Sequence, residues 1–287
     1  MIIYKTTYRI LSALTTMILI AMGFSSIQAK RWQPVIIAQD SARMEIIYVH
    51  VTIDPKDGLD NNGNPKQKTD FEVLAIGDSL RWYGGYGDFQ LDSIAFEDPD
   101  WKDYPTREDY RKIRREMEPI NVYMMTNLNN SIVYYYGKIF INYYRYEEPI
   151  PSINWKLEDE TMRIMGYDCR KATARWRGRD WTAWYSDIPI SAGPWKFNGL
   201  PGLILRLEDS KKEHYFEAVE TKNYVCPIGK RQSLFCKTNR EKYNMELRDY
   251  KENAGAMFLD SGMVKRTEGD AEKMRKVRLF FNPIELE

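Results

Sequence analysis

Histidine is almost missing from this chain: two in 287 residues, His50 and His214, far apart in the sequence. That isolation argues against a histidine-based general base or a multi-histidine zinc site. Three cysteines without a C-x-x-C pair exclude a dithiol redox motif. There is no G-x-S-x-G elbow, no H-E-x-x-H and no G-x-G-x-x-G, so the serine-hydrolase, zincin and dinucleotide-binding signatures are all lacking. Charge of one sign is lacking too. The formal net charge is +1 with acids and bases interspersed, which excludes the clustered basic surface of a nucleic-acid binder. After residue 24 no apolar run is long enough to cross a bilayer, and no repeat at solenoid periods is present.

What is there begins with a targeting segment. Lys5 and Arg9 form a positive n-region, residues 10–24 an apolar one, and Ser25, Ser26 and Ala29 offer small residues for cleavage. Residues 1–29 read as a signal peptide, and residues 30–287 as a single domain that carries a charge of about −1. Tyrosine is abundant, as suits the cover of pleated surfaces. Residues 42–53 read as a first strand that contains His50, a structural residue on this reading. The polar run 54–70 is a loop. Its DNNGN resembles a calcium loop, but Pro65 would take the position that needs glycine, so it reads as a solvated turn. Strands follow over 71–82, then a glycine turn at 84–87 that lacks the Lys-Ser/Thr of a phosphate loop.

Thr106 and Asp109 open a helix with Tyr110, Ile113 and Met117 on one face. Three strands are expected over 120–146, with turns at 127–130 and at Gly137-Lys138. A second helix spans 239–253 with Tyr243, Leu247 and Tyr250 on its buried face, and Gly255 stands where a C-cap belongs. In the tail, 270–274 looks helical, and Val277, Leu279 and Phe281 alternate like a closing strand.

The centre of the chain is residues 166–207. Ala172, Ala174 and Trp176 alternate with polar neighbours, Arg177-Gly178 makes a tight turn, and Trp181, Ala183 and Tyr185 alternate on the return strand. Ile188-Pro189 and Gly193-Pro194 interrupt it. Leu200-Pro201-Gly202-Leu203 matches a type II turn, with Gly199 beside it, and Leu203, Leu205 and Leu207 follow as a core face. The octapeptide NGLPGLIL at 198–205 resembles the signature of the GLPGLI family, secreted proteins of Gram-negative bacteria. So do Gly166, Tyr167, Cys169, Lys171 and Ala172 upstream, Trp184-Tyr185, Phe197, and the NPIEL of 282–286. The resemblance implies export to the periplasm or cell envelope and implies no activity, cofactor or catalytic residue.

The fold expected is mainly β, a single domain built on a curved antiparallel sheet, a meander or half-barrel, with two or three short helices on its concave face. The function expected is non-catalytic: an envelope protein that holds an acyl chain, a peptide or an outer-membrane partner protein. Trp181, Trp184, Tyr185, Trp195 and Phe197 are the candidate groove residues, with plain core packing as the alternative for each. No cofactor, metal or nucleic acid is expected. Cys226 and Cys236 bracket a short loop and form the candidate disulfide, with Cys169 a buried small residue. The competing class is a secreted hydrolase or peptide-processing enzyme, with a carboxylate pair or with Cys169 as its thiol, since two-carboxylate chemistry needs no sequence motif.

Overall fold

A computed structural model describes residues 36–97, 108–117, 120, 122–223, 225–231, 233–262 and 268–287. The signal peptide expected over 1–29 lies outside the described residues, as do Asp98, Asp100, Thr106 and Pro119. The strands are β1 (Ile36–Ile53), β2 (Gln67–Gly77), β3 (Leu80–Gly85), β4 (Val122–Asn127), β5 (Ile132–Ile139), β6 (Asn142–Pro149), β7 (Lys156–Ile164), β8 (Tyr167–Trp176), β9 (Arg179–Tyr185), β10 (Ile204–Asp209), β11 (His214–Lys222), β12 (Cys226–Arg231) and β13 (Cys236–Lys237). They form one sheet in the order β13-β6-β5-β4-β3-β2-β1-β11-β10-β9-β8-β7, with β12 paired to the first half of β1. The sheet is curved and does not close on itself. It is a meander of hairpins with three long-range pairings: β11 and β12 lie beside β1, and β13 lies parallel to β6. On its other side β1 pairs with β2 (Gln67–Gly77), which continues into β3 (Leu80–Gly85). Among the described residues five short helices accompany the sheet, where two or three were expected; the second, α2 (Glu108–Glu116), lies where the sequence predicts a helix.

Alternation decides which face each side chain takes. Ile46, Tyr48, His50 and Thr52 of β1 share the concave face with Glu72 and Leu74 of β2 and with Val133 and Tyr135 of β5 (Ile132–Ile139). Ala42, Val73, Ala75, Trp82 and Tyr136 lie on the convex face. There they pack with Phe89 of α1 (Tyr86–Glu97) and Ile228 of β12 (Cys226–Arg231). The sequence reading did not foresee α1; it begins directly after Gly84-Gly85, where only a turn was expected.

Three local expectations are corrected. Gly137 does not turn the chain: β5 runs through it, and the turn comes at Phe140, which adopts φ 53°. Gly137 is needed because a methyl group there would overlap the Tyr243 hydroxyl. Gly202 is likewise not the positive-φ residue of a type II turn. Gly199 carries the positive φ, at 90°, while Gly202 lets the Ser186 carbonyl come within the space a Cβ would occupy, and Pro201 leads into that approach. The tail residues Val277, Leu279 and Phe281 form no strand. The Leu279 and Phe281 amides instead donate to the Lys251 carbonyl at 2.8 Å and to Asp54 Oδ2 at 2.9 Å.

Other expectations hold, with two exceptions. Arg177 and Gly178 both adopt positive φ, 49° and 79°, the pattern of a type I′ hairpin between β8 (Tyr167–Trp176) and β9 (Arg179–Tyr185). Asp60 folds the polar loop by accepting the Asn62 and Asn64 amides at 2.8 and 2.9 Å. The helix α3 (Arg240–Glu252) is capped by Asn239, whose Oδ1 accepts the Lys242 amide at 2.9 Å, and it ends at Asn253. Gly255 is no cap; it lies in α4 (Ala254–Asp260), where its missing Cβ admits the Met274 carbonyl. Cys169 is fully buried, and burial pushes its thiol up to about 11. The expected disulfide is not formed. Cys226 is buried on β12, its Sγ 3.3 Å from Glu45 Oε1, while Cys236 is exposed on β13 (Cys236–Lys237) at the far edge of the sheet.

Candidate functional site

Four of the five aromatic residues read as groove candidates are buried in the core, the alternative that stood open for each. Trp181 and Phe197 are 1% and 2% exposed and meet edge to face at 4.7 Å, with Trp176 against Phe197 at 4.8 Å. Tyr185 lies beside them on the concave face, and Trp184 is buried on the opposite face, across from Lys171 and Arg206. The reason is the loop 186–203, which folds back over β9 and β10 (Ile204–Asp209) and fills the concavity with Ala192, Phe197, Leu200 and Leu203. Trp155 supports it by donating to the Asn198 carbonyl at 2.8 Å. A hollow of only about 20 Å³ is left beside Trp195 and Phe197, little more than one water.

Trp195, half buried and held at φ 54°, is the exception. It stands at the edge of a cavity of about 470 Å³ on the other half of the concave face, within the usual range of small-ligand sites, about 300–1,000 Å³. The floor consists of β1, β2, β5, β6 (Asn142–Pro149) and β11, which contribute His50, Asp70, Glu72, Tyr135, Tyr146 and His214. The roof is α3, through Tyr243, Leu247 and Lys251, together with tail residues 279–285. The sequence placed Tyr243, Leu247 and Tyr250 on the buried face of this helix; a hollow beneath them was not foreseen.

The two histidines meet on the cavity floor, against the expectation that each stands alone. The register pairs Thr52 with His214 and His50 with Asp70, which brings both rings to one place. His50 Nε2 is 3.1 Å from His214 Nδ1 and 3.0 Å from Thr52 Oγ1, and His50 Nδ1 is 3.1 Å from Glu72 Oε1. The Tyr83 hydroxyl donates to the other Glu72 oxygen. Burial and then the Glu72 charge hold the Tyr83 phenol well above its ordinary range. Burial first, then His50 and Arg179, keeps His214 well below the ordinary imidazole value. With Nδ1–H on both rings, His50 donates to Glu72, and the single lone pair of its Nε2 is shared between the His214 Nδ1–H and the Thr52 hydroxyl.

The tail that closes the cavity is fixed by charge at both ends. Arg278 pairs with Asp54 at one end. At the other, Lys196 Nζ, 1% exposed, donates to Glu285 Oε1 at 2.7 Å and also pairs with Glu148. Its ammonium lies 5.3–5.6 Å from the Tyr135, Tyr146 and Trp195 ring centres. Trp195 Nε1 donates to the same Glu285 oxygen at 2.8 Å. Burial alone would raise the Glu285 carboxyl; Lys196, Trp195 and Arg177 outweigh it and hold the group below its ordinary value. Between these ends Arg179, itself buried, donates to Asp209 at 2.9 Å, Glu213 at 2.7 Å, Asn282 at 2.6 Å and the Pro283 carbonyl at 2.9 Å. Among the described residues no group of three His, Cys, Asp or Glu is placed to hold a metal ion. No helix of the described residues is long and apolar enough to cross a membrane.

A family model described as "Protein of unknown function (Porph_ging)" matches residues 176–206, the stretch from the β8–β9 turn through the filling loop into β10. No curated protein matches the chain. Among solved structures, two of PNGF-II, in space groups P21 and C2, are similar with TM-scores of 0.47 and 0.46 and identities of 13% and 14%. Each alignment covers 74% of this chain and 34% of the PNGF-II chain, so the chain spans about a third of those proteins' length. Neither likeness bears on what this chain does.

Proposed function

We propose that this is a non-catalytic, exported cell-envelope protein of the GLPGLI type that encloses an acyl chain beneath α3 and its C-terminal tail. The observation that carries the reading is the cavity of about 470 Å³, walled by Tyr135, Tyr146, Trp195, Leu247 and Phe281. An acyl chain suits it better than a peptide. The floor strands β1, β2, β5 and β11 are each paired on both sides, so they offer no free ladder to a peptide backbone. Two of the acidic groups near the aromatic wall are already engaged, Glu285 Oε1 by Lys196 and Glu72 by His50 and Tyr83. Export rests on the basic and apolar leader of residues 1–29. Native mass spectrometry of the protein purified from the cell envelope tests the reading. It predicts a retained acyl adduct, or stoichiometric uptake of an added ten-carbon alcohol or acid. A chain that is bare and takes up neither contradicts it.

The Glu72–His50–His214 chain favours a second reading, acid–base chemistry on a bound substrate by a secreted hydrolase. The thiol form of that class has no support, because Cys169 is sealed in the core. Substitution of His50 by Gln with undiminished acyl binding and no loss of any hydrolytic turnover speaks for the binding protein. Turnover that disappears with His50 speaks for the enzyme.

A further inference from the structure

The charges around the cavity do not cancel evenly. Its carboxylates have partners: Glu285 is held by Lys196 at 2.7 Å, Asp70 by Lys68 at 3.0 Å, and Glu72 by His50 and Tyr83. Lys138 is on the cavity's border, but its ammonium lies over the Tyr143 ring at 5.4 Å. Lys251 remains. It lines the cavity from the last turn of α3, and no carboxylate lies within 4.0 Å of its amine among the described residues. Asp70, the acid whose charge acts on it, is already engaged by Lys68.

We propose that Lys251, with Lys68 beside it, reads the carboxylate head of the enclosed acyl chain, so that the ligand is an aliphatic carboxylic acid. The inference rests on the acyl-binding reading above and adds the identity and place of the head group. On this proposal the carboxylate sits beside Lys251 and the Lys68–Asp70 pair, and the chain lies against Tyr135, Tyr146 and Trp195, which line the same cavity. The local electrostatics agree. Burial first, and then the positive charge of Lys68, push the Lys251 amine below its ordinary value, with Asp70 giving part of this back. A bound anion offsets both effects, because it supplies the counter-charge that the protein withholds. A charge-assisted hydrogen bond in such a setting is worth about tenfold or more in affinity over the neutral alcohol.

Titration calorimetry of the mature protein with decanoate, decanol and decylamine tests this. The expected result is decanoate bound at least about tenfold more tightly than decanol, with decylamine weakest. Lys251→Met should bind decanoate no better than decanol while its affinity for decanol stays within about twofold, and Lys251→Arg should restore the preference. Equal affinities for acid and alcohol in the wild type, or a preference that survives in K251M, overturn the head-group assignment and leave the acyl reading standing. Failure of all three ligands to bind overturns both. Should K251M not fold, the order of the three ligands on the wild type, and loss of the decanoate preference in high salt, decide the matter alone.

Discussion

The concave face of this sheet is one surface treated in two ways. Over β8, β9 and β10 it is filled by the loop 186–203, and Trp181, Phe197, Leu200 and Leu203 pack with almost no exposure. Over β1, β2, β5 and β11 it is spanned instead by α3 and the tail, and a cavity of about 470 Å³ remains. A short loop with Pro189, Pro194, Pro201 and two closely approached glycines can follow a curved surface and touch it throughout. A helix is straight over thirteen residues and bridges the curve, so it leaves space beneath. Aromatic richness therefore marks no site by itself; what covers the aromatics decides.

The largest effects should come from the filled half. Phe197→Ala removes a ring that touches Trp176 and Trp181, and we expect a loss of about 4 kcal/mol in chemical denaturation. Trp184→Ala should likewise lower the melting temperature rather than ligand retention; a stable W184A variant with lost binding would move the site to the wrong half. Gly202→Ala forces a methyl onto the Ser186 carbonyl and should cost about 3 kcal/mol, with the loop 186–203 losing amide protection. At the seam between the halves, Glu285→Gln leaves buried Lys196 with Glu148 as its only ion-pair partner among the described residues, and about 2 kcal/mol should be lost in the same assay.

The hollow half responds to pH. His214 has a depressed pKa in the folded state, so the unfolded chain binds the extra proton. Stability is full above about pH 6.5 and falls as pH drops from there toward the folded value. Between pH 6.5 and 5.5 this amounts to about 1 kcal/mol, and His214→Gln should flatten that part of the curve. The smallest effect is at the roof: Asn239→Ala removes the cap of α3 and should cost about 1 kcal/mol, with faster hydrogen exchange in its first turn.

Strands were legible where a period of two met turn residues: the β8–β9 hairpin, the asparagine turn after Asn127 and the face of α3 all follow local rules. Glycine was harder to read. Gly137 and Gly202 are demanded by Tyr243 and Ser186, groups that local sequence does not place beside them. The candidate site was nearly invisible for the same reason. His50 and His214 touch only because β11 returns beside β1, and Glu285 reaches Lys196 across the whole tail. One signal was available: His50 follows Ile46 and Tyr48 on an apolar face, where a polar ring requires buried partners.

The division into filled and hollow halves is tested most directly by amide chemical shifts of the labelled protein titrated with decanoate. Shifts confined to residues around Lys68, Glu72, Tyr135, Trp195, Leu247 and Lys251, with those around Trp181, Leu203 and Leu207 unmoved, are the predicted result. Perturbation centred on β8–β10 or on the convex face around Trp82 would contradict it.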